Sequence, residues 1–361
     1  MIQKIYFIVK NKKALLSIVF TLSFCLLRGV AESVPATNVA SILATVKSER
    51  AGNGEIDQKI LREKFSVDFH TSMGKYDNYL KFFYAKSLSN TPDWWRKGIP
   101  NATPQELYNF FFQVYEQNKL SSIAPDGRQR IPKVFHQIWV GKKPFPEKYK
   151  RWQATWKNVP GWEYKLWTDK EVASFPLINR ELYENEKSMG ARADLLRIEV
   201  LYREGGVYID TDFECIKPEM FNLLNSTYDF YAGITPFDAE VIVLNNALIG
   251  SVAGHPILKN YINDVARLKK GLGLMDVVAR GPGLLTNMSF LYGCKGTRDI
   301  FLPTSFFYSL VLYFPKKNEQ YRTLTANPEG FEKIKSQEVK PESIAIHYWE
   351  SSWTAPDAYI P

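Results

Sequence analysis

Apolar positions follow two different periods along the chain, and the change falls near residue 125. Before it, aromatic-rich stretches at 79–84 and 107–115 carry spacings that favour helices. Thr103, followed by Pro104 and then Glu106, predicts a helix start with a threonine cap, a proline in the first turn and a reciprocal glutamate. A turn at Pro125-Asp126-Gly127 then gives way to shorter, β-like runs. The runs at 133–140 and 163–167 enclose a helix-forming stretch at 146–156 and a Pro160-Gly161 turn, which is the order of a parallel βαβ unit. A helix-period segment at 191–203 stops at Gly205-Gly206, and an apolar strand at 207–210 follows. These elements predict an open α/β sheet preceded by a helical subdomain, with a loop expected at 231–246.

The N-terminus has a different texture. Lys10, Lys12 and Lys13 precede an uncharged apolar run at 14–27, followed by Arg28 and the small residues Gly29, Val30 and Ala31. That order fits a signal peptide or signal-anchor over 1–31, and the run is short for a span of roughly 20 residues. It predicts an exported or secretory-pathway protein, attached to a membrane if the leader is retained. Residues 32–55 are small and polar without an apolar period and read as a connector. The expected organisation is leader 1–31, connector 32–55, helical subdomain 56–124 and catalytic domain 125–361.

Composition narrows the classes. With 361 residues, 45% of them hydrophobic, the chain can bury a large core and is not a disordered protein. A formal charge of +8 suits an anionic ligand, but the basic residues are spread out, not clustered with aromatics, so no nucleic-acid partner is expected. Cys25, Cys215 and Cys294 have no paired CxxC spacing and imply neither a zinc site nor a disulfide framework.

Chemistry concentrates at Asp210-Thr211-Asp212. Two carboxylates one residue apart at the end of a buried strand can hold a hard divalent ion and leave room for phosphate oxygens. Alone the pair is weak, since chance supplies about one Asp-x-Asp in a chain of this length. Its position strengthens it, because ligands of open α/β sheets collect beyond the carboxyl ends of strands. On the preceding helix Asp194 and Arg197 stand three apart on one face, and a surface salt bridge is the alternative reading of that pair.

The sequence resembles glycosyltransferase family 32, the enzymes with a DXD-containing sugar-binding region that include initiating mannosyltransferases and bacterial capsular sugar transferases. The resemblance is carried by the run from Ile131 through His136 to Trp139, by 162–167, and above all by Arg192-Ala193-Asp194-Leu195-Leu196-Arg197 continuing through Gly205-Gly206 to Asp212. It extends more loosely over Asn245-Asn246, Gly254-His255-Pro256, Gly281-Pro282-Gly283 and the terminal His347-Tyr348-Trp349-Glu350-Ser351-Ser352-Trp353, about 130–355 in all. The catalytic domains of clostridial glucosylating toxins look like distant relatives.

The resemblance implies a GT-A fold, a mixed and mostly parallel sheet flanked by helices, and a retaining transfer of a hexose from a UDP- or GDP-sugar to a glycan, lipid or protein hydroxyl. It implies Trp139 stacked on the nucleobase, Asp194 and Arg197 on the donor sugar and phosphate, Tyr208 beside them, and Asp210 on ribose or sugar. Asp212 would bind Mn²⁺ or Mg²⁺, His347 is a candidate further ligand, and Trp353 would close over the pyrophosphate. A core histidine is the alternative for His347, and ordinary core packing for Trp139. Glu350 adds a carboxylate where the family pattern has none. The competing functions are a metal-dependent phosphoester hydrolase, which would want more carboxylates or histidines than a chain with four His offers, and an inactive sugar- or nucleotide-binding module.

Overall fold

The computed structural model describes residues 54–73, 102–235, 242–268, 279–310 and 328–350. The chain divides into two compact units, 1–61 and 62–361. Of the first only 54–61 are described, and they lie in helix α1 (Gly54–Lys64). The leader, residues 32–53 of the expected connector, the stretch at 79–84 and Trp353 fall outside the described residues, while Gly54 and Glu55, expected in the connector, belong to α1. No helix among the described residues is long and apolar enough to cross a membrane.

The second unit is built on a six-stranded sheet of order β2-β1-β3-β6-β5-β7. Its strands are β1 (Val134–Ile138), β2 (Glu163–Trp167), β3 (Gly206–Ile209), β5 (Phe230–Ile234), β6 (Leu244–Ser251) and β7 (Asp299–Leu302). β1 pairs in parallel with β2 and β3, and β5 with β7, while β6 runs antiparallel to both β3 and β5. This is the mixed, mostly parallel α/β sheet expected from the sequence. A separate two-stranded antiparallel ladder joins β4 (Phe213–Cys215) to β8 (Ala345–His347).

The helices pack where the apolar stripes direct them. After the short α2 (Phe69–Ser72) comes α3 (Pro104–Asn118), which opens with the complete capping box of Thr103 and Glu106 and packs on β7. Next follow α4 (Glu147–Lys157), α5 (Asp169–Ser174), α6 (Arg180–Glu184) and α7 (Met189–Glu204), and α7 packs on β1, β3 and β6. The remaining helices are α8 (Pro218–Thr227), α9 (Pro256–Val265), α10 (Leu284–Tyr292) and α11 (Pro328–Glu338). α4 buries Trp152 and Trp156, and the Trp156 indole donates to the Phe213 carbonyl at 2.8 Å, tying this helix to β4.

Two glycines make the passage from α7 into β3 possible. Gly205 has φ +67° and Gly206 φ +102°, a region in which side chains are rarely found. A Cβ on Gly206 would lie 2.7 Å from His136 Nε2 and 2.8 Å from the Val134 carbonyl oxygen, so β1 and β3 approach only because it is absent. His136 itself is fully buried: Nδ1 accepts from the Trp167 indole at 3.1 Å, which leaves Nε2 to donate to the Gly205 carbonyl at 2.9 Å. Burial lowers its pKa to about 4, and it is a neutral structural histidine.

The loop expected at 231–246 is a correction. Tyr231–Ile234 belong to β5 and Leu244–Asn246 to β6, and only 236–241 lie outside the described residues. Tyr231, Ile234, Ile242 and Val243 are buried, and such residues read the same in a loop wall as in a central strand. The acceptor-type sequences Asn225-Ser226-Thr227 and Asn287-Met288-Ser289 would be glycosylation sites only with an exposed amide. Asn225 is fully buried, donating to the carbonyls of Ile131 and Pro132 at 3.3 and 3.0 Å, and Asn287 is buried too, so neither amide is open to glycosylation in the folded chain.

Candidate active site

β3 ends at Ile209, and the chain turns through Asp210, Thr211 and Asp212 into β4. The turn is pinned from both sides. Asp210 N–H donates to the Ala247 carbonyl on β6 at 2.8 Å, and Gln137 Nε2, on β1, donates to the Asp210 carbonyl at 3.2 Å. Gln137 is itself held by Tyr164, whose hydroxyl donates to Oε1 at 2.6 Å and accepts from Gln153 Nε2 at 2.9 Å.

α7 sets a guanidinium beside the first aspartate. Arg197 Nη1 donates to Asp210 Oδ1 at 3.0 Å and to the Asn246 carbonyl at 2.7 Å, while Nη2 meets Asp194 Oδ1 at 2.9 Å. The Tyr208 hydroxyl donates to the same Asp210 oxygen at 2.6 Å, and the guanidinium lies 4.4 Å from the Tyr208 ring centroid. Asp194 and Arg197 are 3% and 5% exposed, which overturns the surface salt bridge as a reading of this pair. Burial raises the pKa of Asp194 to about 6 against the pull of Arg197. Burial likewise raises Asp210, with Arg197 opposing and the charge of Asp212 adding to the rise. Such perturbed carboxyls cluster where a site is built to handle charge.

Asp194 uses one oxygen only. Oδ1 accepts from Arg197 and, at 2.7 Å, from Asn246 Nδ2, whereas Oδ2 is buried with no hydrogen-bond partner among the described residues. Its neighbour on that side is Gly281, in the π-helical turn Ala279–Gly283, where a Cβ would lie 2.9 Å from Oδ2 and 2.8 Å from Asn246 Nδ2.

The second aspartate is bound by the C-terminal ladder. β8 pairs Phe213 with His347, and His347 Nε2 comes to 3.2 Å from Asp212 Oδ1. Oδ2 of Asp212 accepts from the Glu350 N–H at 2.8 Å, and its carbonyl accepts from the Tyr348 N–H at 3.0 Å. Burial pushes the Asp212 pKa up, but the charge and hydrogen bond of His347 and the Glu350 N–H outweigh it, and the carboxyl sits below its ordinary value. His347 stacks on Phe213 with centroids 4.5 Å apart, and its Nδ1 is buried without a hydrogen-bond partner among the described residues. The Glu350 carboxylate does not join this group and pairs with Lys148 instead.

Asp210, Asp212 and His347 thus offer ligand atoms all within 4.8 Å of one another. Two carboxylates and an imidazole suit a hard or borderline divalent cation. The charge balance suits one as well, since Arg197 pairs with Asp194 and Asp210 and leaves Asp212 to His347.

Trp139 follows β1 and is half-buried, its indole donating to the Lys143 carbonyl at 2.8 Å and its ring set edge-on to Phe145 and Tyr149. Gln137 and Tyr164 were given no site role by sequence reasoning, because each acts through a contact distant in the chain, and Gly281 was marked only within the looser Gly281-Pro282-Gly283 match.

The chain is similar to known glycosyltransferases in sequence. Residues 146–231 match the family model described as the glycosyltransferase sugar-binding region containing the DXD motif. Inositol phosphoceramide mannosyltransferase 1 of Schizosaccharomyces pombe is 30% identical over 160 residues, covering 40% of this chain and 46% of that protein. The initiation-specific alpha-1,6-mannosyltransferase of Candida albicans is 26% identical over 274 residues, 63% of this chain and 70% of that protein. The solved structure of the PaToxG glycosyltransferase aligns with a TM-score of 0.35 at 16% identity, covering 67% of this chain and 97% of that one. The chain spans about half the length of the inositol phosphoceramide mannosyltransferase it matches. Residues 146–231 are thus similar to a glycosyltransferase sugar-binding region of the DXD kind. The matched region contains α7 with Asp194 and Arg197, and the turn with Asp210 and Asp212.

Proposed function

We propose that the protein is a retaining glycosyltransferase that moves a hexose from a UDP- or GDP-sugar to a hydroxyl of a glycan, lipid or protein, with Mn²⁺ or Mg²⁺ held by Asp210, Asp212 and His347. The convergence of these three groups beside the Arg197 pair carries the reading. The names of the relatives point to mannose, so GDP-mannose heads the donors to be tested. Catalysis is assigned to 125–361, and the lysine-led leader supports export, with membrane attachment where the leader is retained.

In the reaction the bond from the anomeric carbon to the diphosphate oxygen breaks, and a bond to the acceptor oxygen forms on the same face. The acceptor proton passes to the departing phosphate oxygen. A bound divalent cation supplies Lewis-acid compensation of the diphosphate charge. Arg197 adds a fixed positive charge in a water-poor site, where it acts more strongly than in bulk solvent. Asp194 Oδ2 retains an unspent acceptor for a donor hydroxyl. Trp139 is assigned to the nucleobase and Trp353 to closure over the pyrophosphate.

Front-face transfer is favoured because Asp210 is engaged by Arg197 and Tyr208 and Asp212 by His347 and the Glu350 N–H, while the free oxygen of Asp194 is assigned to a donor hydroxyl. A screen of UDP- and GDP-sugars with Mn²⁺, with and without acceptors, tests the proposal. Sugar release or transfer supports it, cleavage of simple phosphoesters supports a hydrolase, and binding without turnover under every metal supports an inactive module.

A further inference from the structure

Beyond the metal cluster, on the β4–β8 ladder that carries it, lies a polar cavity of about 210 Å³ between α4 and α11. We propose that this cavity binds one neutral hexose unit of the acceptor, next to the unit that receives the transferred sugar; the inference rests on the glycosyltransferase reading.

The walls are a charge-balanced set. Arg151 and Lys335 face Glu214 and Glu332, with the Thr155 hydroxyl between helix and ladder, so the lining carries two cations and two carboxylates. Lys335 Nζ lies 2.9 and 3.1 Å from the two Glu214 oxygens, and the Tyr348 hydroxyl donates to the same carboxylate. An anion would find its attraction to Arg151 and Lys335 offset by the carboxylates. A polyhydroxylated neutral group matches better, because each hydroxyl both donates and accepts and can bridge a cation and a carboxylate at once.

Size and position point the same way. The volume lies below the roughly 300–1,000 Å³ of pockets that take drug-sized ligands, so it fits one sugar ring and excludes a nucleotide. Trp152 stacks on Tyr348 with centroids 4.3 Å apart, and Arg151 lies 4.8 Å from the Trp152 ring, so the indole and phenol form a stiff apolar wall behind the charged groups. Glu214 is two residues from Asp212, and Tyr348 follows His347 and donates its N–H to the Asp212 carbonyl at 3.0 Å. The cavity thus shares the β4–β8 ladder with the candidate metal ligands Asp212 and His347.

The test is ligand-observed saturation-transfer NMR with mannobiose on the full chain, alongside donor hydrolysis by the same preparations. The expected result is binding in the parent that weakens roughly tenfold in Arg151→Ala with Glu332→Gln, two exposed positions, while donor hydrolysis stays at the parent level. Lys335→Met gives an independent variant should the first pair alter the fold. Unchanged mannobiose binding in all these variants overturns the proposal, as does displacement of mannobiose by inorganic phosphate. If no donor is ever hydrolysed yet mannobiose binds and the variants abolish it, the sugar site stands and the glycosyltransferase reading falls.

Discussion

His347 and Asp212 lie 135 positions apart in the chain, and the ladder of β4 and β8 sets their side chains 3.2 Å from each other. The distance fixes how the site is assembled. One aspartate belongs to the central sheet through β3, and its partner two residues on is completed only when the C-terminal strand returns. Under the proposed metal role, cation binding and docking of β8 would be coupled, and loss of either would weaken the other.

Arg197→Met should destabilise the protein strongly. The guanidinium compensates the buried Asp194 and the partly exposed Asp210, and removing the partner of a buried charge such as Asp194 costs about 3–5 kcal/mol. A thermal melt at neutral pH is expected to fall by several degrees even without donor, and an unchanged melt would show that the two carboxyls take up protons or water at little cost.

Asp194 predicts a pH dependence of stability. Its carboxyl is ordinarily half-protonated at 3.8 and in the fold at about 6, so between those values the folded chain holds a proton that the unfolded chain has lost. Raising the pH through that window therefore removes stability, by about 2–3 kcal/mol once complete. Asp194→Asn lacks this loss. The melting temperature of the variant relative to the parent should rise from pH 4.5 to pH 7.5, and a flat difference would place the parent carboxyl near its ordinary value.

Gly281→Ala should act on the donor. The added methyl would sit within 2.9 Å of Asp194 Oδ2 and Asn246 Nδ2, closing the side on which Asp194 keeps its unspent acceptor. Donor KM is expected to rise roughly tenfold with little loss of secondary structure, the cost of about one lost hydrogen bond to a charged group. Equal KM values would mean that the turn at 279–283 yields without disturbing Asp194.

What the sequence disclosed, and what it did not, follows from the range of each interaction. Asp194 and Arg197 share a helix turn, Asp210 and Asp212 a strand end, and the Thr103 capping box spans three residues, so local spacing was enough. β6 was read as part of a loop because its reversal between β3 and β5 is a property of pairing partners far away in the chain. Gln137 and Tyr164 brace the Asp210 carbonyl through side chains on neighbouring strands, and nothing near either residue announces that task. His347 was marked only through the resemblance of the terminal motif, and its contact with Asp212 depends on the register of a two-stranded ladder.

Donor titrations with and without Mn²⁺, on the parent, Asp212→Asn and His347→Ala, test the central claim most directly. In the parent, Mn²⁺ should tighten GDP- or UDP-sugar binding and switch on turnover. Asp212→Asn should abolish the Mn²⁺ response and lower turnover roughly 100-fold or more while keeping the parent circular dichroism, because a charged ligand leaves a site whose electrostatics depend on it. His347→Ala should weaken the response, whereas Ile178→Ala, at an exposed position, should leave it unchanged. Parent-like Mn²⁺ dependence and turnover in Asp212→Asn would contradict the account.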